Sequence, residues 1–314
     1  MRRILPVLGL LGLLAPGLSS AAEIFAKVGT FDGQFLKIGV GARAEGMGGA
    51  FVGVADDATS LYWNAAGIAR IDPEKSQLSL NHANWPAELS FDQVGYVFHM
   101  KKIPGAFSVH ARALTMQPME VTTAFQPNGT GETFDAGMLA AGLTYARSFT
   151  DKFSAGLTVN TIHTGLADLS QQTFSVDLGT LYDVGAAGMK IGMAIQNIGS
   201  QEKFIEREAR IPSIFRVGTS ATLMSTGSQK LVGSFEFSHP PDNSERVNVG
   251  GEYSFKKYLF LRGGYAFNYD AEGLGAGVGF HFPVSVAGMA DFDYSYTDML
   301  DLGAAHRFSL RFEF

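Results

Sequence analysis

The stretch GAAHRFSLRFEF, Gly303 to Phe314, decides the fold. His306, Phe308, Leu310, Phe312 and Phe314 fall at every second position, with Arg307, Ser309, Arg311 and Glu313 between them. Successive side chains of an extended chain point to opposite faces of a sheet. One face of this strand is therefore greasy and the other charged. The same alternation recurs upstream: Phe153, Ala155, Leu157 and Val159 oppose Ser154, Gly156, Thr158 and Asn160, and Val247, Val249, Tyr253 and Phe255 oppose Asn248, Glu252 and Ser254.

From Ser76 onward the pattern divides into about fourteen strands. They fall near 76–83, 90–100, 105–116, 137–149, 152–164, 172–184, 189–198, 212–223, 229–238, 245–255, 258–268, 273–282, 284–296 and 303–314. The connections 84–89, 117–136, 165–171, 199–211, 239–244, 269–272 and 297–302 are mostly longer than 101–104, 150–151, 185–188, 224–228, 256–257 and Pro283. Bacterial outer-membrane barrels have this alternation of short periplasmic turns and long outer loops. An even strand count puts both barrel ends on the periplasmic side. Aromatics near strand ends, at Tyr182, Tyr258, Tyr296 and Phe314, stand where interfacial girdles are expected. The fold class is thus all-β, a transmembrane antiparallel β-barrel of about fourteen strands.

Composition agrees. There are 38 glycines and 25 phenylalanines against 17% charged residues, and mean hydropathy is only +0.08. A helical membrane protein would be far more apolar, whereas a barrel hides its apolar residues at alternate positions. The net charge of −6 disfavours a nucleic-acid partner, which would select a basic face. There is no cysteine, hence no disulfide framework and no thiol chemistry.

Residues 1–22 read as a signal peptide: Arg2 and Arg3, an apolar run from Ile4 to Leu18, then Ser20-Ala21-Ala22 before a cleavage point at Glu23. Export to the bacterial outer membrane follows. Residues 23–75 form a separate segment ahead of the 76–314 barrel. Its centre, Phe35 to Ile71, is dense in glycine and small residues. This segment reads as a hatch packed inside the lumen, which a barrel of this size must fill or gate. Gly39, Gly41, Gly46, Gly48, Gly49 and Gly67 would let its backbone pack closely. Arg43, Glu45, Asp56, Asp57 and Asn64 are the polar groups expected to bond to the lumen wall, and Phe51, Tyr62 and Trp63 the candidate contacts for a hydrophobic ligand.

Other chemistry is excluded by pattern. Gly39-Val-Gly41-Ala-Arg-Ala44 matches a dinucleotide fingerprint in letters, but no βαβ unit surrounds it. The seven histidines lack metal-ligand spacing and no nucleophile elbow is present. No cofactor, metal or catalytic residue is assigned, and the chain is read as a non-enzyme. The 117–136 connection is long enough to suggest function and carries Met119, Val121, Phe125 and Phe134.

The run GARAEGMGGAFVGVADDATSLYWNAAGIARI, Gly41 to Ile71, resembles the N-terminal signature of the PorV/PorQ family, a branch of the FadL-like barrels. The resemblance lies in the glycine run, the Ala-Asp-Asp-Ala-Thr-Ser core and the Trp63-Asn64-Ala65-Ala66-Gly67 turn, where many members have proline at the position of Ala65. It implies a fourteen-stranded barrel with an internal hatch. It also implies a docking or shuttle role in type IX-like protein secretion, with translocon subunits or secreted cargo as partners. The alternative it carries is a FadL-like channel for hydrophobic small molecules such as long-chain fatty acids. Outer-membrane lipid, and a lipid or detergent-like ligand, are the remaining partners.

Overall fold

The computed structural model describes residues 30–199, 201–203, 208–284 and 288–314. Residues 1–22, expected to be a signal peptide, and residues 23–29 lie outside the described residues. Fourteen strands form one closed barrel. In chain order they are β1 (Gln77–Trp85), β2 (Leu89–Met100), β3 (Ile103–Thr115), β4 (Ala136–Ser148), β5 (Phe153–Leu166), β6 (Leu169–Asp183) and β7 (Lys190–Gly199). The second half comprises β8 (Ile214–Ser225), β9 (Gln229–His239), β10 (Arg246–Phe255), β11 (Leu259–Phe267), β12 (Leu274–Val284), β13 (Gly288–Asp298) and β14 (Ala304–Glu313).

Every strand pairs antiparallel with its chain neighbours, and β1 pairs with β14 from Gln77↔Glu313 to Asn84↔His306, which removes all sheet edges. The alternation read from the sequence separates the two faces. In β14, Arg307 and Ser309 are buried inside, while Phe308 and Leu310 are 38% exposed on the outside. Exposed Leu143, Leu157, Phe174, Met193, Phe235, Leu261 and Phe280 continue this apolar belt around the barrel. A closed sheet with an apolar exterior satisfies its backbone internally, as a bilayer requires. Among the described residues no helix is long and apolar enough to cross a membrane.

Three connections differ from expectation. The β1–β2 connection is Pro86-Ala87-Glu88, with φ of 63° and 59° at the last two residues, and β5–β6 is Ala167-Asp168 alone. Both were expected to be longer loops. Left-handed residues usually announce themselves as Gly or Asn; here alanine and glutamate adopt the conformation, so the turn is silent in sequence. Pro283 is not a turn: it pairs with Met289 inside the β12–β13 ladder. Long outer connections remain at 116–135, which carries a short ribbon (Met119–Glu120 with Thr133–Phe134), and between β7 and β8.

Candidate functional site

Residues 30–75 run through the lumen from one rim to the other. Phe31 bridges to Arg210 and the Asp32 amide donates to its carbonyl, in the connection between β7 and β8. Lys37 pairs with Asp242 at 2.7 Å, in the β9–β10 connection. Further along, Ala42 N donates to Ser309 Oγ of β14 at 2.8 Å, and Ala58 N to Gln77 Oε1 of β1 at 3.0 Å. Arg70 ends the segment at the opposite rim, donating to the carbonyls of Asp151 and Lys152. A segment that touches strands all round the barrel lies inside it, and we call it the hatch.

Small residues let two backbones meet. The hatch turns at Gly48 (φ 63°), where a Cβ would lie 2.6 Å from the amide nitrogen of Tyr265. Facing it, a Cβ on Gly264 of β11 would lie 2.2 Å from the Met47 carbonyl carbon. Of the other hatch glycines, Gly46 abuts Gly277 of β12, Gly49 lies beside Asn248, Gly39 against the Glu45 carboxylate, Gly41 beside Thr59, and Gly67 against Ser60 and the Ala55 carbonyl.

One half of the wall, β8 to β14, holds the hatch by charge. Arg43 donates to Glu252 (2.9 Å), Asp56 (2.7 Å) and Asp57 (2.6 Å). Glu252 also takes Arg262, which reaches Asp293 at 2.5 Å. Arg311 joins Asp57 (3.1 Å) to Asp291 (2.7 Å), and Arg307 faces Glu45 at 3.3 Å. Glu236, with no exposure, accepts the amides of Phe51 and Val52 at 3.0 and 2.9 Å and the Arg216 guanidinium at 2.8 Å. Burial would raise the Asp57 pKa, but Arg311 and Arg43 outweigh it and hold the carboxyl well below its usual range, helped by Thr59. Glu272, in the β11–β12 connection, is pushed the other way, up to about 6, by burial and by Glu45.

The other side, β1 to β5, holds the start of the hatch mainly by apolar contact. Phe35 and Leu36, 2% and 1% exposed, pack with Ile38 and Val40 against Ala83, Phe91, Ala140 and Ile162, with Trp85, Leu114 and Met138 alongside. At the floor of this sector stands Arg112 of β3, with only 6% exposed. Its guanidinium lies 5.2 Å from the centre of the Tyr62 ring. Its Nε has no hydrogen-bond partner, and it forms no ion pair among the described residues. On the outside, a groove of about 440 Å³ crosses the lipid-facing surface over Leu80, Val94 and Leu139 and runs along β3 at Ala111–Ala113, behind which the Arg112 side chain points into the lumen.

The structure thus brings Arg43, Glu45, Asp56 and Asp57 onto one wall. Asn64 stands apart, donating to the carbonyls of Val52 and Thr180 at 3.0 Å each and accepting from Ala66 N. Phe51, Tyr62 and Trp63 do not line open apolar space. Their rings pack edge-on at 6.1 and 4.9 Å, Trp63 donates to the Val40 carbonyl, and Tyr62 to that of Lys37. Arg216 lies 5.1 Å over Trp63 and Arg43 5.2 Å over Phe51. Sequence reasoning missed Arg112, Arg216, Glu236 and Arg262. The available signal was charge at inward-facing strand positions, which is costly inside a membrane protein unless paired or functional.

Solved structures share this fold at low sequence identity. Solved structures similar to it include the CymD monoaromatic hydrocarbon channel (TM-score 0.61, 12% identity, covering 88% of this chain and 96% of that one). The Ralstonia pickettii toluene transporter TbuX gives a TM-score of 0.61 at 13% identity, over 88% of this chain and 97% of the other. A Pseudomonas aeruginosa FadL homologue gives 0.59 at 13%, over 88% and 98%. No curated protein matches by sequence. A family model described as "Uncharacterised protein family (UPF0164)" matches residues 14–175, more than half the chain, and the protein belongs to that family.

Proposed function

We propose that this protein is an outer-membrane channel for apolar and amphipathic small molecules, with the hatch as its gate. The observation that carries the reading is the apolar lumen sector over β1–β5, floored by Arg112. A water-filled pore gains nothing from Phe91, Leu114, Met138 and Ile162 lining its inside, because pore interiors are polar. A hydrophobic passenger would bury its surface there at roughly 25 cal/mol per Å². A buried guanidinium with no ion pair is unfavourable; the Tyr62 ring and the nearby Asp177 offset part of that for Arg112, and a carboxylate head would supply the missing partner.

The hydrocarbon channels and the FadL homologue with the same fold support this reading. The secretion-docking role implied by the PorV/PorQ resemblance finds no support among them. The test is uptake into proteoliposomes of a long-chain monocarboxylate and of toluene, compared for wild type and Arg112→Gln. Both compounds should enter with wild-type protein, and the variant should lose carboxylate binding about 10- to 100-fold, since a hydrogen bond to a charged group contributes roughly 1.5–3 kcal/mol, while keeping toluene. Uptake no faster than in empty liposomes would contradict the proposal.

A further inference from the structure

The rim where the hatch leaves the barrel carries a second, external feature. Five rings form a ladder on the outer face: Phe314 and Tyr96 at 6.3 Å, Tyr96 and Phe98 at 5.6 Å, Phe98 and Phe107 at 6.0 Å, Phe107 and Tyr145 at 4.9 Å. Tyr145 fixes the end of the ladder by donating to the Pro104 carbonyl at 2.8 Å. Such belts mark the level of lipid headgroups. Directly beside the ladder, a groove of about 760 Å³ opens between the hatch tether at Pro73–Ser76 and the β2–β3 turn. Its floor is apolar, with Met100 and Ile103 42% and 45% exposed.

The groove is also basic. Lys101 lines it at the β2–β3 turn and Arg147 on β4, with Lys102 next in the turn. All three are exposed and none forms an ion pair among the described residues; Arg147 only stacks over Phe149, at 5.8 Å. Lys75, by contrast, is neutralised by Glu313 at 2.6 Å. Glu74 is the remaining carboxylate in the lining. Three free cations above an apolar floor, flanked by membrane-facing rings, match one kind of occupant.

We propose that this groove binds an anionic phospholipid of the periplasmic leaflet. Its phosphate would sit among Lys101, Lys102 and Arg147, and its acyl chains would lie along Phe98, Phe107 and Tyr145. The floor residues Ala69 and Pro73 belong to the hatch exit, so the lipid rests on the joint between hatch and wall. Ser148 Oγ, donating to the Ala69 carbonyl at 3.3 Å, ties that joint to β4. A cation near an anionic surface contributes about 1 kcal/mol, roughly fivefold in affinity. Neutralising three should weaken binding on the order of a hundredfold.

The experiment is native mass spectrometry of the full chain released from nanodiscs of phosphatidylglycerol mixed with phosphatidylethanolamine. Wild-type protein should retain phosphatidylglycerol in preference to phosphatidylethanolamine. K101Q/K102Q/R147Q should lose the preference, and K256Q, across the same rim, should keep it. Glycerol 3-phosphate in excess should not displace the lipid. Equal retention of both lipids, unchanged preference in the triple variant, equal loss in K256Q, or displacement by glycerol 3-phosphate would each overturn the assignment.

Discussion

The two halves of the lumen wall hold the same hatch by different physics. On β8–β14 the fastening is directional: buried carboxylates meet arginines and hatch amides at defined distances, and strand glycines admit the hatch backbone. On β1–β5 it is mainly apolar, with Phe35 and Leu36 resting on Phe91, Leu114 and Ile162, and the hydrogen bonds to Gln77 and Ser148 fall on the later part of the hatch, at Ala58 and Ala69. Removing one partner of a buried ion pair leaves a stranded charge, so the charged half cannot be exchanged for a ligand. The apolar half can, because a hydrocarbon tail can replace a phenylalanine at little cost. The difference assigns a role to each side: one holds the gate, the other receives the passenger.

The largest expected effect comes from removing the hatch altogether. The barrel hydrogen bonds close without it, so deleting residues 35–71 should leave an assembled, heat-resistant barrel with greatly increased single-channel conductance in planar bilayers. Loss of assembly would make the segment part of the wall. Next comes Glu236→Ala, which strands Arg216 and two hatch amides. It should weaken hatch docking by about 3–5 kcal/mol, seen as frequent opening events, and an apolar ligand should not reverse it.

Phe35→Ala probes the other half. Truncation of a buried phenylalanine typically destabilises by 3–5 kcal/mol, but here the loss is local. We expect a smaller change in resting conductance than with Glu236→Ala, and recovery of thermal stability on adding a long-chain monocarboxylate. No recovery would mean the sector does not accept ligands.

The smallest effect is on pH. Asp57 has a depressed pKa, so its contribution is present above the ordinary carboxylate pKa of about 4. It is lost only as pH falls through the lower folded value. Glu272 has a raised pKa, about 6, so ionising it opposes closure of the β11–β12 connection. That penalty grows as pH rises from about 4 to 6 and is complete above. Between pH 7 and 5, amide protection factors, corrected for the intrinsic pH dependence of exchange, should rise in residues 268–273 and stay unchanged around Asp57. A rise at both places would show that the two carboxylates titrate together.

The barrel was legible in sequence because period-2 alternation is strict where a strand separates lipid from lumen. Arg307 and Phe308 could be sorted from letters alone. The tight turns were not, since Ala87, Glu88 and Ala167 adopt left-handed geometry without the residues that favour it. The hatch was legible as a unit through its glycines and its polar residues, but not its partners. Which strand faces Arg43 depends on register around a closed barrel, and nothing local in the sequence encodes that Glu252 and Asp57 converge on one guanidinium. Phe51, Tyr62 and Trp63 read as ligand contacts because they are aromatic; in the structure their rings pack on one another under Arg43 and Arg216, and Tyr62 and Trp63 bond the hatch backbone.

The most direct measurement is hydrogen exchange of the full protein in nanodiscs, with and without a saturating long-chain monocarboxylate. The account predicts that amides of residues 35–38 lose protection when ligand enters, while those of 42–52 keep theirs against Ser309 and Glu236. Ligand binding that leaves both segments unchanged, or loosens both alike, would contradict the division between a holding half and a receiving half.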